Sequence, residues 1–151
     1  MKRLFIVLFF ITAFSSCTTT KPLYNWGKYE ESYYKYYKTQ TPESYAQLYE
    51  QYANLVANPG GTRAVIPPGI CAEFGYLLLA PETAIILKEY YSNPSHLSTK
   101  VRKAMSVIGL DETFAPEGMR SKGLEMLQKE IELYPESAAF LEPIIKKFNQ
   151  Q

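Results

Sequence analysis

The segment YNWGKYEESYYKYYK, residues 24–38, contains one Trp and six Tyr within fifteen residues. At about 100° per residue, one set of these aromatic side chains falls on a single face of a helix. That set comprises Trp26, Tyr29, Tyr33 and Tyr37. Tyr34 and Tyr36 flank the stripe on opposite sides. The spacing predicts a helix from about residue 25 to 38 whose stripe packs in the core, which leaves Tyr34 and Tyr36 as candidate partner-binding residues.

Proline and glycine divide the rest of the chain into six further segments in which apolar residues recur at helical spacing. The predicted helices cover about residues 42–57, 70–79, 81–91, 95–108, 116–134 and 135–148. Thr41-Pro42 before the first of these is typical of an N-cap followed by Pro in the first turn. No stretch alternates apolar and polar residues for long enough to predict a strand. The sequence therefore predicts an all-α fold of about seven short helices.

The aromatic segment also matches the first helix of the tetratricopeptide repeat, a hairpin of about 34 residues that begins Trp-x2-Leu-Gly-x2-Tyr. Three sets of residues fall at positions of this repeat: Trp26, Tyr29, Glu30 and Tyr33; Cys71, Phe74, Gly75 and Leu78; and Gly123, Leu127, Glu130 and Pro135. Small residues at some of these positions let paired helices approach closely, so the pattern predicts tetratricopeptide-like stacked helical hairpins. A generic helical bundle would give a similar periodicity and is the alternative.

The second and third sets are too far apart for a regular repeat. Cys71 and Gly123 are 52 positions apart, whereas the repeat places the corresponding residues about 16 apart. The additional residues between Cys71 and Gly123 amount to nearly one whole repeat. We therefore expect residues 80–118 to be an insertion that forms an extra hairpin, within a single helical domain over residues 24–151.

The N-terminus has the layout of a secretory signal. Lys2 and Arg3 precede an apolar run that ends at Phe14, and small residues lead to Cys17. This arrangement resembles a lipobox, although Phe14 stands where Leu is usual. We predict a signal peptide over residues 1–16, lipidation of Cys17 and a short tether over residues 17–23. The alternative is an ordinary signal peptide with a chance Cys.

Thr18-Thr19-Thr20 follows the predicted lipidation site and carries no Asp. By resemblance to known lipoprotein sorting signals, this favours an outer-membrane lipid anchor that faces the periplasm. Loss of Lys2 and Arg3 with the signal would change the formal charge from +1 to −1. A chain of such balanced charge has no electrostatic attraction for nucleic acid.

Three longer stretches resemble a known family: YNWGKYE near the start, GTRAVIPPGICAEFGYLLL in the middle and KEIELYPES near the end. They are similar to segments of the DUF4810 family of small bacterial lipoproteins, and the resemblance covers about residues 23–148. The resemblance implies a tetratricopeptide-like shape and no established activity. It also implies proximity to other envelope lipoproteins, because family members are often encoded beside two of them, one similar to the curli secretion channel.

The residue inventory argues against an enzyme. The chain has one His, His96, and one Asp, Asp111, and no nucleophile motif accompanies them. Cys71 lies in the most apolar helix, where we expect it to be a buried packing residue and not a reactive thiol. We predict no catalytic residues, no metal site, no cofactor and no small-molecule substrate.

Arg63 is a cation in an otherwise apolar connector, GTRAVIPPG. One interpretation is a half-buried Arg that donates to carbonyls at the end of the second helix, with Glu73 as its counter-charge. The other is an Arg at the floor of a groove that binds a partner's carboxylate. Arg63 is therefore a third candidate partner-binding residue, beside Tyr34 and Tyr36.

These observations favour a membrane-anchored interaction module. A helical repeat presents an extended surface to a protein partner, which we expect to be another envelope lipoprotein. The alternative is a lipoprotein that binds peptidoglycan or another glycan by stacking exposed Tyr on sugars. An envelope hydrolase is disfavoured because the residues for it are missing.

Overall fold

The computed structural model describes residues 20–150. This part of the chain forms seven α-helices and no strand, which confirms the all-α prediction. The helices are α1 (Tyr29–Thr39), α2 (Pro42–Ala57), α3 (Ile70–Leu79), α4 (Pro81–Tyr90), α5 (Thr99–Ile108), α6 (Pro116–Leu133) and α7 (Ala138–Asn149). A short 3-10 helix, Pro135–Ser137, connects α6 to α7. The predicted signal peptide and lipidated Cys17 lie outside the described residues.

The start of α2 shows why its boundary could be predicted. Thr41 Oγ1 accepts a hydrogen bond from the backbone N–H of Ser44 at 3.2 Å, and Ser44 Oγ accepts one from the N–H of Thr41 at 3.0 Å. This reciprocal capping box satisfies two amides that a helix N-terminus otherwise leaves free.

The boundary of α5 differs from the prediction. The helix begins at Thr99 and not near residue 95, because the Asn93 side chain accepts from both the N–H and the hydroxyl of Ser95. These bonds fold residues 93–95 into a turn that competes with the helix. Ser98 then caps α5 by accepting from the N–H of Val101.

Helices α3 and α6 form the most extensive helix pair, although α4 and α5 separate them in sequence. Gly75 and Gly123 meet at their crossing. A Cβ added to Gly75 would lie 2.9 Å from the Gly123 carbonyl oxygen, and one added to Gly123 would lie 3.0 Å from the Gly75 oxygen. Backbones this close need residues without side chains, as the repeat pattern predicted for these two positions.

Helix α2 is the centre of the other half, because α1, α3, α4 and α5 all pack against it. Its buried face includes Tyr45, Leu48 and Leu55. Tyr49 and Tyr52 extend the packing to Phe74 on α3 with ring centroids 5.8 and 5.7 Å apart. Together with the α3–α6 pair, this arrangement confirms the tetratricopeptide-like stacking of hairpins. The segment 80–118 differs in detail from expectation: α4 and α5 each make their main contacts with α2 and not with one another as a hairpin.

The orientation of α1 differs from the prediction. Of the expected core stripe, Trp26, Tyr33 and Tyr37 are 39, 47 and 72% exposed, and only Tyr29 is half-buried. The helix begins at Tyr29, so Trp26 precedes it. Since α1 lies at the edge of the stack with α2 as its main partner, only a narrow face is covered. The helix was predicted correctly, but the face of the helix that packs against the rest of the fold was not.

A candidate binding groove between α1 and α5

A groove of about 380 Å³ runs between α1 and α5. It forms because both helices pack on α2 and not on each other, so a strip of α2 is left uncovered between them. The floor consists of four polar residues spaced at i, i+3, i+4 and i+7 along α2, which places them on one helix face. They are Gln47, Glu50, Gln51 and Asn54.

The walls of the groove carry most of its charge. On the α1 side lie Lys28, Glu31, Ser32 and Lys35, and on the α5 side lie Ser98, Lys100, Val101 and Ala104. With Glu50 of the floor, the groove is therefore lined by three ammonium groups and two carboxylates. One of the cations is held in place, because Lys35 Nζ donates to Gln47 Oε1 at 2.9 Å and lies 3.5 Å from Glu43 Oε1.

Glu50 is the half-buried carboxylate of the floor. The Tyr91 hydroxyl donates to its Oε1 at 2.7 Å. Burial raises the pKa of Glu50, and the Tyr91 hydrogen bond and the nearby Lys100 ammonium oppose that rise. Lys28 and Lys100 each carry an ammonium group with three donors at the wall of the groove.

Gln51 contributes an incompletely satisfied amide at the edge of the groove. Its Nε2 is buried and has no hydrogen-bond partner among residues 20–150. It lies beneath Gly27, whose φ is +52° and whose added Cβ would come within 2.4 Å of Nε2. A buried donor without an acceptor costs about 1–3 kcal/mol, so this amide weakens the contact between residue 27 and α2.

Tyr34 and Tyr36 occupy different environments. Tyr34 is 64% exposed, on the side of α1 away from the groove floor. Tyr36 is half-buried and packs edge-on against Tyr45 of α2, with ring centroids 5.2 Å apart. The expectation that packing does not require Tyr36 is therefore wrong. Neither ring lines the groove, and their predicted binding role stays a prediction.

Arg63 is exposed and not half-buried. Its Nη1 donates to the Tyr24 hydroxyl at 2.8 Å, and its guanidinium lies 5.7 Å from the centre of the Tyr24 ring. The structure therefore contradicts the expected bonds to the end of α2. The expected counter-charge, Glu73, is bonded to Tyr29 and Tyr52 instead. Arg63 is also not among the residues that line the groove.

Glu73 is a structural residue whose role the sequence did not reveal. Its Oε2 accepts hydrogen bonds from the hydroxyls of Tyr29 and Tyr52, each at 2.6 Å. These three residues come from α3, α1 and α2. Burial and the Glu73 carboxylate both raise the pKa of Tyr29 and of Tyr52, so the two hydroxyls stay protonated and donate. The shared carboxylate fixes the wall helix α1 to the rest of the fold.

The other chemically reactive side chains are placed apart from the groove. Cys71 is fully buried, as expected, and burial raises the pKa of its thiol to about 12. His96 is exposed and stacks on Tyr90 with ring centroids 4.4 Å apart. Asp111 is exposed and its pKa is lowered by hydrogen bonds from the side chain and backbone of Thr113. Within the described part of the chain, no group of three or more His, Cys, Asp or Glu residues could hold a metal ion.

Between residues 20 and 150, no single helix is long and apolar enough to cross a membrane. Only α3 and α4 taken together reach the required length and composition, and the pair is bent by 85°.

The groove could have been suspected from the sequence of α2. Opposite its buried aromatic face, the helix repeats amide and carboxylate side chains at helical spacing. What the sequence did not indicate is that α5 returns to α2 across the segment 80–118 and supplies the second wall.

Residues 23–94 match the model of the family described as "Domain of unknown function (DUF4810)". The match confirms the family resemblance over residues 23–94, whereas the predicted resemblance extended to residue 148 and the stretch KEIELYPES lies outside the match. The match covers α1 and α2, and therefore one wall and the floor of the groove, and it ends before α5. Neither the curated proteins nor the solved structures include a match to this chain.

Proposed function

Because residues 23–94 are those of a DUF4810 domain, a family whose description assigns no function, we propose a role from the geometry of the groove. We propose that the protein is a lipid-anchored adaptor of the bacterial outer membrane, facing the periplasm, whose α1–α5 groove binds an extended segment of a protein partner. The expected partner is another envelope lipoprotein.

The observation that carries this proposal is the polar floor of the groove. Gln47, Gln51 and Asn54 place a row of amides along α2, a group that matches the N–H and C=O groups of an extended backbone. The Gln47 amide is already bonded to Lys35 and Glu43, so a partner would use mainly Gln51 and Asn54. Pockets for small molecules are instead lined predominantly by apolar and aromatic side chains. A polar, open groove between helices of a repeat fold therefore favours a peptide segment over a small ligand.

The charge of the walls indicates the kind of segment. Lys28 and Lys100 flank the floor from opposite sides, while the one half-buried carboxylate, Glu50, is engaged by Tyr91. A segment that carries Asp or Glu would pair with these ammonium groups, and burial at the groove would strengthen the pairs. Lipid anchorage through Cys17 would hold the groove close to other proteins of the same membrane.

Site-specific photocrosslinking in the native envelope tests this role. A photoreactive residue at Ser32 or Ser98, on the two walls, should capture the same partner, and one at exposed Glu142 on α7 should not. The double charge reversal Lys28→Glu/Lys100→Glu should abolish capture, whereas Lys146→Glu on α7 should leave it unchanged. Capture that is equal from wall and control positions, or that survives the double reversal, would rule out the groove as the binding site.

A further inference from the structure

The outer side of α1 presents a large aromatic surface to solvent. We call Trp26, Tyr33, Tyr34 and Tyr37 the aromatic face; their exposed fractions are 39, 47, 64 and 72%. The rings of Trp26, Tyr29 and Tyr33 follow one another at 5.8 Å between centroids, so the face continues into the packed ring of Tyr29. Several exposed aromatic rings side by side are typical of a contact site.

The chain just before α1 is fixed to the body of the domain. The backbone carbonyls of Pro22 and Leu23 accept hydrogen bonds from the N–H groups of Thr62 and Arg63, both at 3.1 Å. A Cβ on Gly61 would lie 2.5 Å from the Leu23 oxygen, so the two segments are in close contact. Residues 22–23 therefore belong to the folded domain and are not part of a free tether.

We call the two backbone hydrogen bonds between residues 22–23 and 62–63 the clamp. The clamp limits how far the folded domain can lie from a lipid attached to Cys17. From Cys17 to Pro22 a fully extended chain spans at most about 17 Å. A folded chain of this size has a radius of gyration of about 14 Å, so its diameter exceeds the length of the tether. A lipidated domain would then keep residue 22 within about 17 Å of the bilayer surface, and the aromatic face begins on that side, so docking of the face is what would bring Trp26 into contact with lipid.

The chemistry of the face fits the membrane interface. Trp and Tyr combine an apolar ring with one polar group and concentrate at the headgroup level of bilayers. Lys21 and Lys38 are exposed at the two ends of the segment, where ammonium groups can reach lipid phosphates. Residues two apart on a helix point to opposite sides, so Lys35 and the groove face away from Tyr33 and Tyr37.

We propose that the aromatic face of α1 docks on the lipid surface and holds the domain with its groove open to the aqueous side. The proposal rests on the lipid anchorage proposed above and gives the anchored domain one orientation. It does not depend on what the groove binds.

Trp26 is the one Trp of the chain and serves as the probe. The full chain, processed by its native host, is reconstituted into vesicles of phosphatidylethanolamine and phosphatidylglycerol, with or without lipids brominated close to the headgroup. We expect brominated lipid to quench Trp26 emission. The triple variant Tyr33→Ser/Tyr34→Ser/Tyr37→Ser should lose most of this quenching while its helical circular dichroism is retained. The matched control Phe140→Ser, which removes an exposed ring from α7, should keep it.

The outcomes separate the two proposals. Mass spectrometry of the reconstituted chain and of its Cys17→Ser variant reports the anchor itself. A lipidated chain whose Trp26 is not quenched overturns the docking of the aromatic face and leaves the anchor in place. Unquenched Trp26 together with crosslinked dimers that the triple variant loses would instead assign the face to a second copy of the chain. An unlipidated chain whose Trp26 is not quenched overturns both.

Discussion

The α3–α6 pair and the α1–α2–α5 group differ in how closely their helices approach. In the first, Gly75 and Gly123 bring two backbones almost into contact and leave no space between them. In the second, α1 and α5 stand apart on α2 and a groove of about 380 Å³ lies between them. The two glycines allow the closed pair, and the packing of both α1 and α5 on α2 creates the open one.

The buried carboxylates of the two regions differ in the same way. Glu130 is 3% exposed and lies at the N-terminus of α3, where its two oxygens accept from the N–H groups of Gly69 and Ala72 at 2.7 and 3.3 Å. Glu50 is half-buried and has one tyrosine hydroxyl as donor. The first carboxylate holds a helix pair together, whereas the second lines a surface that stays accessible.

The largest effect is expected from Glu130→Ala. The substitution leaves two buried amides at the start of α3 without an acceptor and removes an anion from a helix N-terminus, so we expect a loss of about 3 kcal/mol in the free energy of unfolding. Denaturant unfolding measures it. Glu132→Ala, at an exposed position of the same helix, should change stability by less than about 0.5 kcal/mol. Equal effects of the two variants would show that Glu130 does not fix α3 to α6.

A smaller loss is expected from Gly75→Ala. The new Cβ would lie 2.7 Å from Leu127 Cδ2 and 2.9 Å from the Gly123 oxygen, so α3 and α6 must separate. Overpacking of this kind typically costs about 2 kcal/mol. Gly118→Ala on α6 is the matched control, since no atom lies within 4 Å of its added Cβ, and it should be neutral or stabilising by about 0.5 kcal/mol. A neutral Gly75→Ala would contradict the close contact of the backbones.

The smallest effect concerns the pH dependence of the open region. Because burial raises the pKa of Glu50 above its ordinary value of 4.5, the folded chain retains this proton to higher pH than the unfolded chain. The contribution of Glu50 to stability therefore falls as the pH rises from about 4.5 through the folded pKa. Glu50→Gln cannot ionise, so its stability should exceed that of the parent by about 0.5 kcal/mol at neutral pH, where solvent screens the half-exposed group.

Unfolding curves of the parent and of Glu50→Gln across this pH range provide the measurement. Their difference should grow with pH. A difference that does not change with pH would show that the floor of the groove is fully hydrated.

Local signals were sufficient to predict most helices. Thr41-Pro42 and its capping box set the start of α2, and α3 ends where Ala80-Pro81 interrupts the apolar run. The glycines of the closed pair could be predicted as well, because close approach requires them whatever surrounds the pair. These features depend on a few neighbouring residues or on a fixed repeat spacing.

Features that depend on distant parts of the chain could not be predicted. Aromatic residues surround most of α1, so periodicity alone could not identify the covered face; the hydrogen bonds of Tyr29 and Tyr52 to Glu73 fix it. Arg63 was paired with Glu73 on sequence proximity, whereas Tyr24 lies closer in space. To predict the groove, one would have to know that α5 packs on α2, and no local sequence pattern encodes that contact.

The clamp between residues 22–23 and 62–63 also determines how the domain carries mechanical load. A pulling force applied at the N-terminal end of the described chain reaches the two backbone hydrogen bonds to Thr62 and Arg63 before it reaches α1. Both bonds share the load, and the force passes into the connector between α2 and α3. The helix that forms one wall of the groove is therefore shielded from tension, and the shape of the groove does not depend on how tightly the N-terminus is held.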